Sequence, residues 1–273
     1  MKLLFDVGGT NIRIGISKDG ESLDAHEIFE TPDTFKESID LMVQKASEIS
    51  SERPEIVVVG IAGTFNRDRS QLTFSHNLKD WVDKDIKKIL SEKFNSTVYL
   101  ENDATLAGLG EASFGAGKNY SIVGYLTFGT GVGGAKIING KIDPVEFGFE
   151  PASLIVDLDP QREHFKETGE IEVGFLSSKK LEEKYGKSPE EIKDPKMWRE
   201  IAYLMAVVIH NCTMLWSPEV MILGGGLMKS VNLEEIKEFT EKAMRAFSKV
   251  PEIKIAELGD FAGLYGALKY EHR

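Results

Sequence analysis

Asp6 and Asp103 are the carboxylates of this sequence best placed for chemistry. Asp6 closes the apolar run 3–5 and is followed by Gly8, Gly9, Thr10 and Asn11. Two adjacent glycines let backbone N–H groups converge on one anion with no Cβ in the way. A carboxylate beside such a nest is placed to meet a cation or its water shell. A tight turn that only reverses the chain is the plainer reading of the same residues. Asp103 lies between a short strand, 98–100, and a small-residue helix, 104–112. It can cap that helix, yet Glu101, Asn102 and Asp103 supply more polar groups than a cap requires.

A second Gly/Thr turn, Gly129-Thr130-Gly131, stands between apolar runs 120–128 and 132–138. The order strand, Gly/Thr turn, strand, glycine-containing turn thus occurs twice, first over 2–22 and again over 120–140. Two lobes on one plan, each offering a Gly/Thr loop, make a cleft that grips phosphates from both sides. A third glycine segment, Gly224-Gly225-Gly226, follows the apolar strand 219–223. It permits a nucleotide to lie against backbone, a flexible turn being the alternative.

The elements that position these residues follow from periodicity. Residues 2–17 predict a hairpin, and 23–29 a third antiparallel strand. Phe35, Ile39, Met42, Ala46 and Ile49 recur at helical spacing. Residues 56–61, IVVVGI, read as a strand covered on both faces. They run into Ala62-Gly63-Thr64, at the strand end where open α/β sheets bind ligands. An amphipathic helix is predicted over 79–94, with Trp81, Val82, Ile86, Ile89 and Leu90 inward. The longest helix, 197–216, carries a stripe of Ile201, Leu204, Met205, Val208, Cys212 and Leu215. Helices are also expected over 176–185, 233–247 and 261–270, and a short capped one at 188–191.

The chain has 273 residues, a formal charge of -11 and one cysteine, Cys212. That length suits two compact lobes. The boundary is expected at 115–119, giving lobes of 1–115, joined by the closing helix 259–273, and 116–258. The acidic balance disfavours nucleic-acid binding, because phosphate-neutralising cations are not in excess. One cysteine excludes an intramolecular disulfide and a cysteine-rich zinc site. On the helix stripe it reads as a small apolar filler. Without a basic-then-apolar leader or a membrane-length apolar run, a soluble cytoplasmic protein with no membrane partner is expected.

Together the motifs resemble the ROK (repressor, open reading frame, kinase) family of sugar kinases, with the actin/hexokinase-like ATPase fold. DVGGTNIR (6–13) is similar to the family's first phosphate loop and FGTGVGG (128–134) to its second. GIAGTF (60–65) resembles its glycine-containing loop and HNLKDW (76–81) its sugar-side Asn-Leu segment. ENDATLAGLGE (101–111) resembles the junction that carries its catalytic Asp, ILGGGL (222–227) its adenosine segment and GDFAGLYGA (259–267) its closing helix. The resemblance implies an α/β fold of two ribonuclease H-like lobes around an interlobe cleft. It implies ATP-dependent phosphorylation of a hexose or N-acetylhexosamine hydroxyl, with Asp103 as base.

By the same resemblance Asn77, Asn102, Glu146, Glu172 and Gly63 contact the sugar. Gly8, Gly9, Thr10, Asn11, Gly129, Thr130, Gly131, Gly224, Gly225 and Gly226 hold ATP. Asp6 meets Mg²⁺, directly or through water. A surface role for Glu172 is the plainer alternative. Phe149 occupies the position of a family histidine and Glu170 that of one of its cysteines, so no structural zinc is expected. Asp157, Asp159 and Glu163 are scattered carboxylates whose ordinary place is solvent. His76 and His164 read as loop residues and His210 as the polar edge of a helix. Some relatives are repressors with an N-terminal helix-turn-helix, for which a strand beginning at Lys2 leaves no room. A non-catalytic sugar-binding regulator is the competing function. The sugar and the oligomeric state, a homodimer included, stay open.

Overall fold

The computed structural model describes residues 1–157, 171–247 and 249–271. The chain divides into two compact units. The first comprises Met1–Lys118, Gly140–Gly148 and Leu258–Arg273, the second Asn119–Asn139 and Phe149–Glu257. The fold is α/β, with a sheet in each unit.

In the first unit the strands are β1 (Lys2–Val7), β2 (Asn11–Ser17), β3 (Ala25–Glu30), β4 (Ile56–Ile61) and β7 (Thr97–Asn102), in the order β3-β2-β1-β4-β7. A small hairpin of β5 (Thr64–Phe65) and β6 (Leu72–Phe74) leaves the end of β4. Strands β1, β4 and β7 are parallel, and β1-β2-β3 is an antiparallel meander. Side chains alternate across such a sheet. Leu3, Phe5, Val7, Val57, Val59, Ile61, Val98 and Leu100 join one apolar core with Phe35, Ile39 and Met42 of α1 (Phe35–Ile49) and Ile86, Leu90 and Phe94 of α2 (Ile86–Phe94). The other face meets α3 (Asp103–Ser113) and α7 (Ala262–Lys269).

Those two helices approach so closely that only glycine fits. A Cβ on Gly266 would stand 1.7 Å from the Leu106 carbonyl oxygen, and one on Gly110 2.2 Å from that of Ala262. The buried Glu111 side chain accepts N–H groups from Ala116 at 3.0 Å and Leu258 at 2.8 Å, tying the end of α3 to the approach to α7.

The second unit holds β8 (Ile122–Phe128), β9 (Val132–Ile138), β13 (Val220–Gly224) and β14 (Glu252–Ile255), in the order β9-β8-β13-β14. Lys141–Ile142 (β10) follows a turn with Asn139 at φ 50° and Gly140 at φ 70°. The pattern repeats that of the first unit: a hairpin, then two parallel strands added beside its first strand. A short ladder pairs β11 (Ile155–Asp157) with β12 (Ile171–Glu172). Helix α4 (Ser178–Tyr185) follows, and α5 (Pro195–Trp216) packs with α6 (Leu233–Ala243) over the sheet.

Several boundaries differ from expectation. The predicted helix 79–94 is a 3₁₀ turn, Lys79–Trp81, a break at Asp83 (φ 60°), and α2 with Asp85 as N-cap. A helical stripe persists through the break because Trp81, Ile86 and Leu90 are all buried. Leu215 leaves the α5 stripe and is 72% exposed. It lies in the last turn, beyond the packed face. The helix expected over 233–247 ends at Ala243, where the Met244 N–H bonds the Thr240 carbonyl. Glu170, Asp159, Glu163 and His164 lie outside the described residues.

Candidate active site

The parallel strands of the first unit are in register at their carboxyl ends: Asp6 is level with Gly60, and Gly60 with Glu101. Asp6 is also opposite Arg13 across the hairpin. Alternation turns this row toward α3 and α7, away from the core of α1 and α2. A Cβ on Gly60 would stand 3.4 Å from Asp103 Cα and 3.7 Å from Asp6 Oδ1. A side chain there would fill the space between the two aspartates. Gly263, at the start of α7, would place a Cβ 2.6 Å from the Asp6 carboxyl carbon. Two glycines thus make room for the Asp6 carboxylate.

The site carries excess negative charge. Arg13 lies 3.5 Å from Asp6 Oδ2 and 3.0 Å from Asp260 Oδ1. Burial pushes the Asp6 carboxyl up to about 7, and the neighbouring Asp103 adds to this. Arg13 opposes the rise and Asp260 reinforces it. Burial likewise raises the Asp103 carboxyl, against N–H bonds from Ala104 and its own backbone and the charge of Arg13. Asp103 is the first residue of α3, but Asn102 is the cap: its Oδ1 accepts the Thr105 N–H at 2.9 Å. The Asp103 carboxylate is therefore not consumed as the helix cap.

The glycine turn closes through a Gly8 N–H to Asn11 carbonyl bond at 3.0 Å, and the Thr31 hydroxyl donates to the Gly8 carbonyl. Thr10 lies exposed at the tip. Asn77 packs directly on Gly9, where a Cβ would lie 2.5 Å from the Asn77 Cβ. Ser75 holds this segment against the Gly63 loop, donating to the Ala62 carbonyl at 2.7 Å and accepting the Leu78 N–H. The Asn102 amide donates to the Gly63 carbonyl at 3.2 Å. Asp6, Gly8, Gly9, Gly63, Asn77, Asn102 and Asp103 are therefore linked at one end of one sheet. Glu146, in the same unit, is half-exposed and paired with Arg67 at 3.3 Å. His76 stacks edge-on with Phe74.

In the second unit Gly129 and Gly131 cap the β8–β9 hairpin, with the Gly129 N–H bonded to the Gly131 carbonyl at 2.8 Å. The Ser178 N–H, opening α4, donates to the Gly129 carbonyl at 2.7 Å. Thr130 is exposed between the two glycines. Gly225 has φ 89°, and a Cβ on it would stand 2.3 Å from the Phe128 carbonyl oxygen. The triple glycine thus lies against the strand end that leads into Gly129. Gly224 abuts the Tyr125 hydroxyl, and Gly226 faces open space. Phe149 meets the Trp216 ring edge-on at 5.5 Å. Glu172 ends β12, its backbone paired with Ile155.

Arg13, Gly60, Asp260 and Gly263 were not among the expected site residues. Arg13 and Gly60 lay inside recognised motifs, but their roles require cross-strand register. Among the described residues no group of three His, Cys, Asp or Glu side chains forms a metal cluster, and no helix is long and apolar enough to cross a membrane.

The ROK family model matches residues 3–151 and 174–273. The chain belongs to the ROK family. It is 30% identical to the N-acetyl-D-glucosamine kinase of Histophilus somni over 96% of each chain. The ROK hexokinase of Thermus thermophilus superposes with a TM-score of 0.81 at 25% identity, covering 98% of this chain and 96% of that one. A ROK glucokinase of Streptomyces griseus, solved with glucose and AMPPNP, gives 0.79 at 25% identity, covering 98% and 97%. The actin/hexokinase-like architecture expected from the motifs is therefore the fold of this ROK protein.

Proposed function

We propose that this ROK protein is an ATP-dependent sugar kinase acting on a hydroxyl of a hexose or N-acetylhexosamine. The observation that carries the reading is the placement of Asp103: its carboxylate is not used as a helix cap, and it stands across Gly60 from Asp6 at the carboxyl ends of β1, β4 and β7. The kinase and hexokinase relatives, and the glucose and AMPPNP in one of them, support the substrate class.

Asp103 accepts the proton of the attacking hydroxyl or orients that hydroxyl as an acceptor. Its raised proton affinity suits the first role. Asn77 and the second N–H of Asn102 orient the ring beside Gly63, and Glu146 and Glu172 accept from vicinal hydroxyls. A sugar hydroxyl at Glu146 takes the place of Arg67. The turns Gly8–Asn11 and Gly129–Gly131 receive nucleotide phosphates through N–H groups other than those of Gly8 and Gly129, which close the turns, and Gly224–Gly226 receive the adenosine side.

Largely buried Asp6, with two further aspartates and one arginine around it, has the hard oxygen chemistry and surplus negative charge that a Mg²⁺ ion relieves. In this reading the nucleotide carries the ion and Asp6 meets it. When bound, it neutralises charge developing on the transferring phosphoryl oxygens.

The test is a Mg²⁺-ATP phosphotransfer panel over hexoses and N-acetylhexosamines. Asp103→Asn is expected to lower turnover by about 10²–10⁴-fold with the circular dichroism spectrum unchanged. Turnover retained in that variant overturns the assignment of Asp103, and no sugar-dependent ADP release from the wild type overturns the activity.

A further inference from the structure

The row that brings Asp6 to Asp103 continues one residue further. Glu101 is 1% exposed and occupies the rung beside Gly60 on β7. Its Oε1 accepts from two donors: the Arg69 guanidinium and the N–H of Asn102 at 2.9 Å. Asn102 in turn caps α3, and α3 starts with Asp103. Arg69 is delivered by a loop built for it. Its backbone is left-handed at φ 51°, with its N–H on the Asn66 carbonyl, and the Asn66 side chain accepts the N–H groups of Ser70 and Gln71.

A residue with a Cβ in that region is uncommon, and a buried carboxylate left without its cation is costly. The row therefore reads Arg13, Asp6, Gly60, Glu101, Arg69, with a cation at either end and Asp103 over the central glycine. A cavity of ≈ 340 Å³ beside the pair is lined by Arg67, Arg69 and Lys87. Its two guanidinium groups already face Glu146 and Glu101, so it does not present an anion receptor.

We propose that Arg69 and Glu101 are positioning residues for phosphotransfer: their buried ion pair clamps the Asn102 N–H and so sets where α3 begins and where the Asp103 carboxylate stands. This rests on the kinase reading above. Neither residue touches substrate in the proposal. Both act through Asp103, and a displacement near 1 Å at a reacting group is enough for a large rate loss.

The experiment uses the full chain, with Arg69→Met made alone and in the Asp103→Asn background. Arg69→Met is expected to lower kcat by about 10–100-fold while sugar KM stays within about threefold. In the Asp103→Asn background the same substitution is expected to change kcat by less than about twofold, because there is no base left to position. Glu101→Gln keeps an acceptor for the Asn102 N–H, so it is expected to lose less activity than Glu101→Ala. Amide hydrogen exchange gives a readout independent of turnover. In Arg69→Met, protection of Asn102 and Thr105 is expected to fall at least about tenfold relative to the core of β4.

Equal kcat losses in both backgrounds, or a stability loss with kcat unchanged, overturn the proposal. Unchanged protection at Asn102 overturns it even if the wild type phosphorylates no sugar. That last result by itself instead removes the kinase reading, and loss of protection would then still establish the clamp.

Discussion

Replacing Asp6 by asparagine is expected to remove a large part of the pH dependence of folding. The Asp6 carboxyl rises from 3.8 to about 7 because it is buried beside Asp103. At about 1.4 kcal/mol for each tenfold change in proton affinity, ionised Asp6 costs the folded protein about 4 kcal/mol. Its folded value lies above its unfolded value, so the protonated form favours folding. That stability is fully present below about pH 4 and is lost as pH rises through about 7. Between pH 5 and pH 8 the wild type should lose about 3 kcal/mol from this group.

Asp6→Asn holds the neutral state at every pH and also relieves the Asp103 carboxyl of a charged neighbour. It also loses the 3.5 Å contact with Arg13, whose opposing effect is already contained in the value of about 7. The assay is urea unfolding of both proteins without nucleotide at pH 5 and pH 8, with equal m-values as the check on two-state behaviour. Subtraction cancels the titration of shared groups that do not feel Asp6; the changed titration of Asp103 stays in the difference and acts in the same direction. The expected result is a variant that gains on the wild type by about 3 kcal/mol from pH 5 to pH 8, with phosphotransfer lost. An unchanged difference between the two pH values, or a variant that falls behind at pH 8, refutes the burial argument.

Gly266→Ala should cost about 3 kcal/mol or more, because its Cβ meets backbone of α3 at 1.7 Å and a main chain cannot rotate away. A urea midpoint equal to the wild type's would show that α3 and α7 do not pack as described. Cys212 is buried, and burial pushes its thiol up to about 12. Native protein at pH 8 should therefore resist a thiol reagent, and modification should track global unfolding. Rapid labelling of folded protein would contradict that placement.

Much of the candidate site was legible in the order of residues alone. The Gly8–Asn11 and Gly129–Gly131 turns were visible because glycine pairs between period-two apolar runs have few other uses. Asp103 stood out because three polar residues crowded a strand–helix junction. Helix ends were less legible. Trp81, Ile86 and Leu90 keep helical spacing across a broken segment, since one apolar core selects the same faces from a helix and from a 3₁₀ turn. Leu215 extended a stripe in sequence that ran out of partners in space.

By itself the sequence determined the repeated strand–turn–strand plan and the ROK motifs, and it singled out the two aspartates as candidates, because each motif is a short contiguous stretch. Only the tertiary structure decided what surrounds them. Arg13, Gly60 and Glu101 share a row with Asp6 through strand pairing, and Gly263 reaches it from the far end of the chain. The raised proton affinity of Asp6 comes from that assembly, since burial and a second charge arise only when distant segments exclude water together.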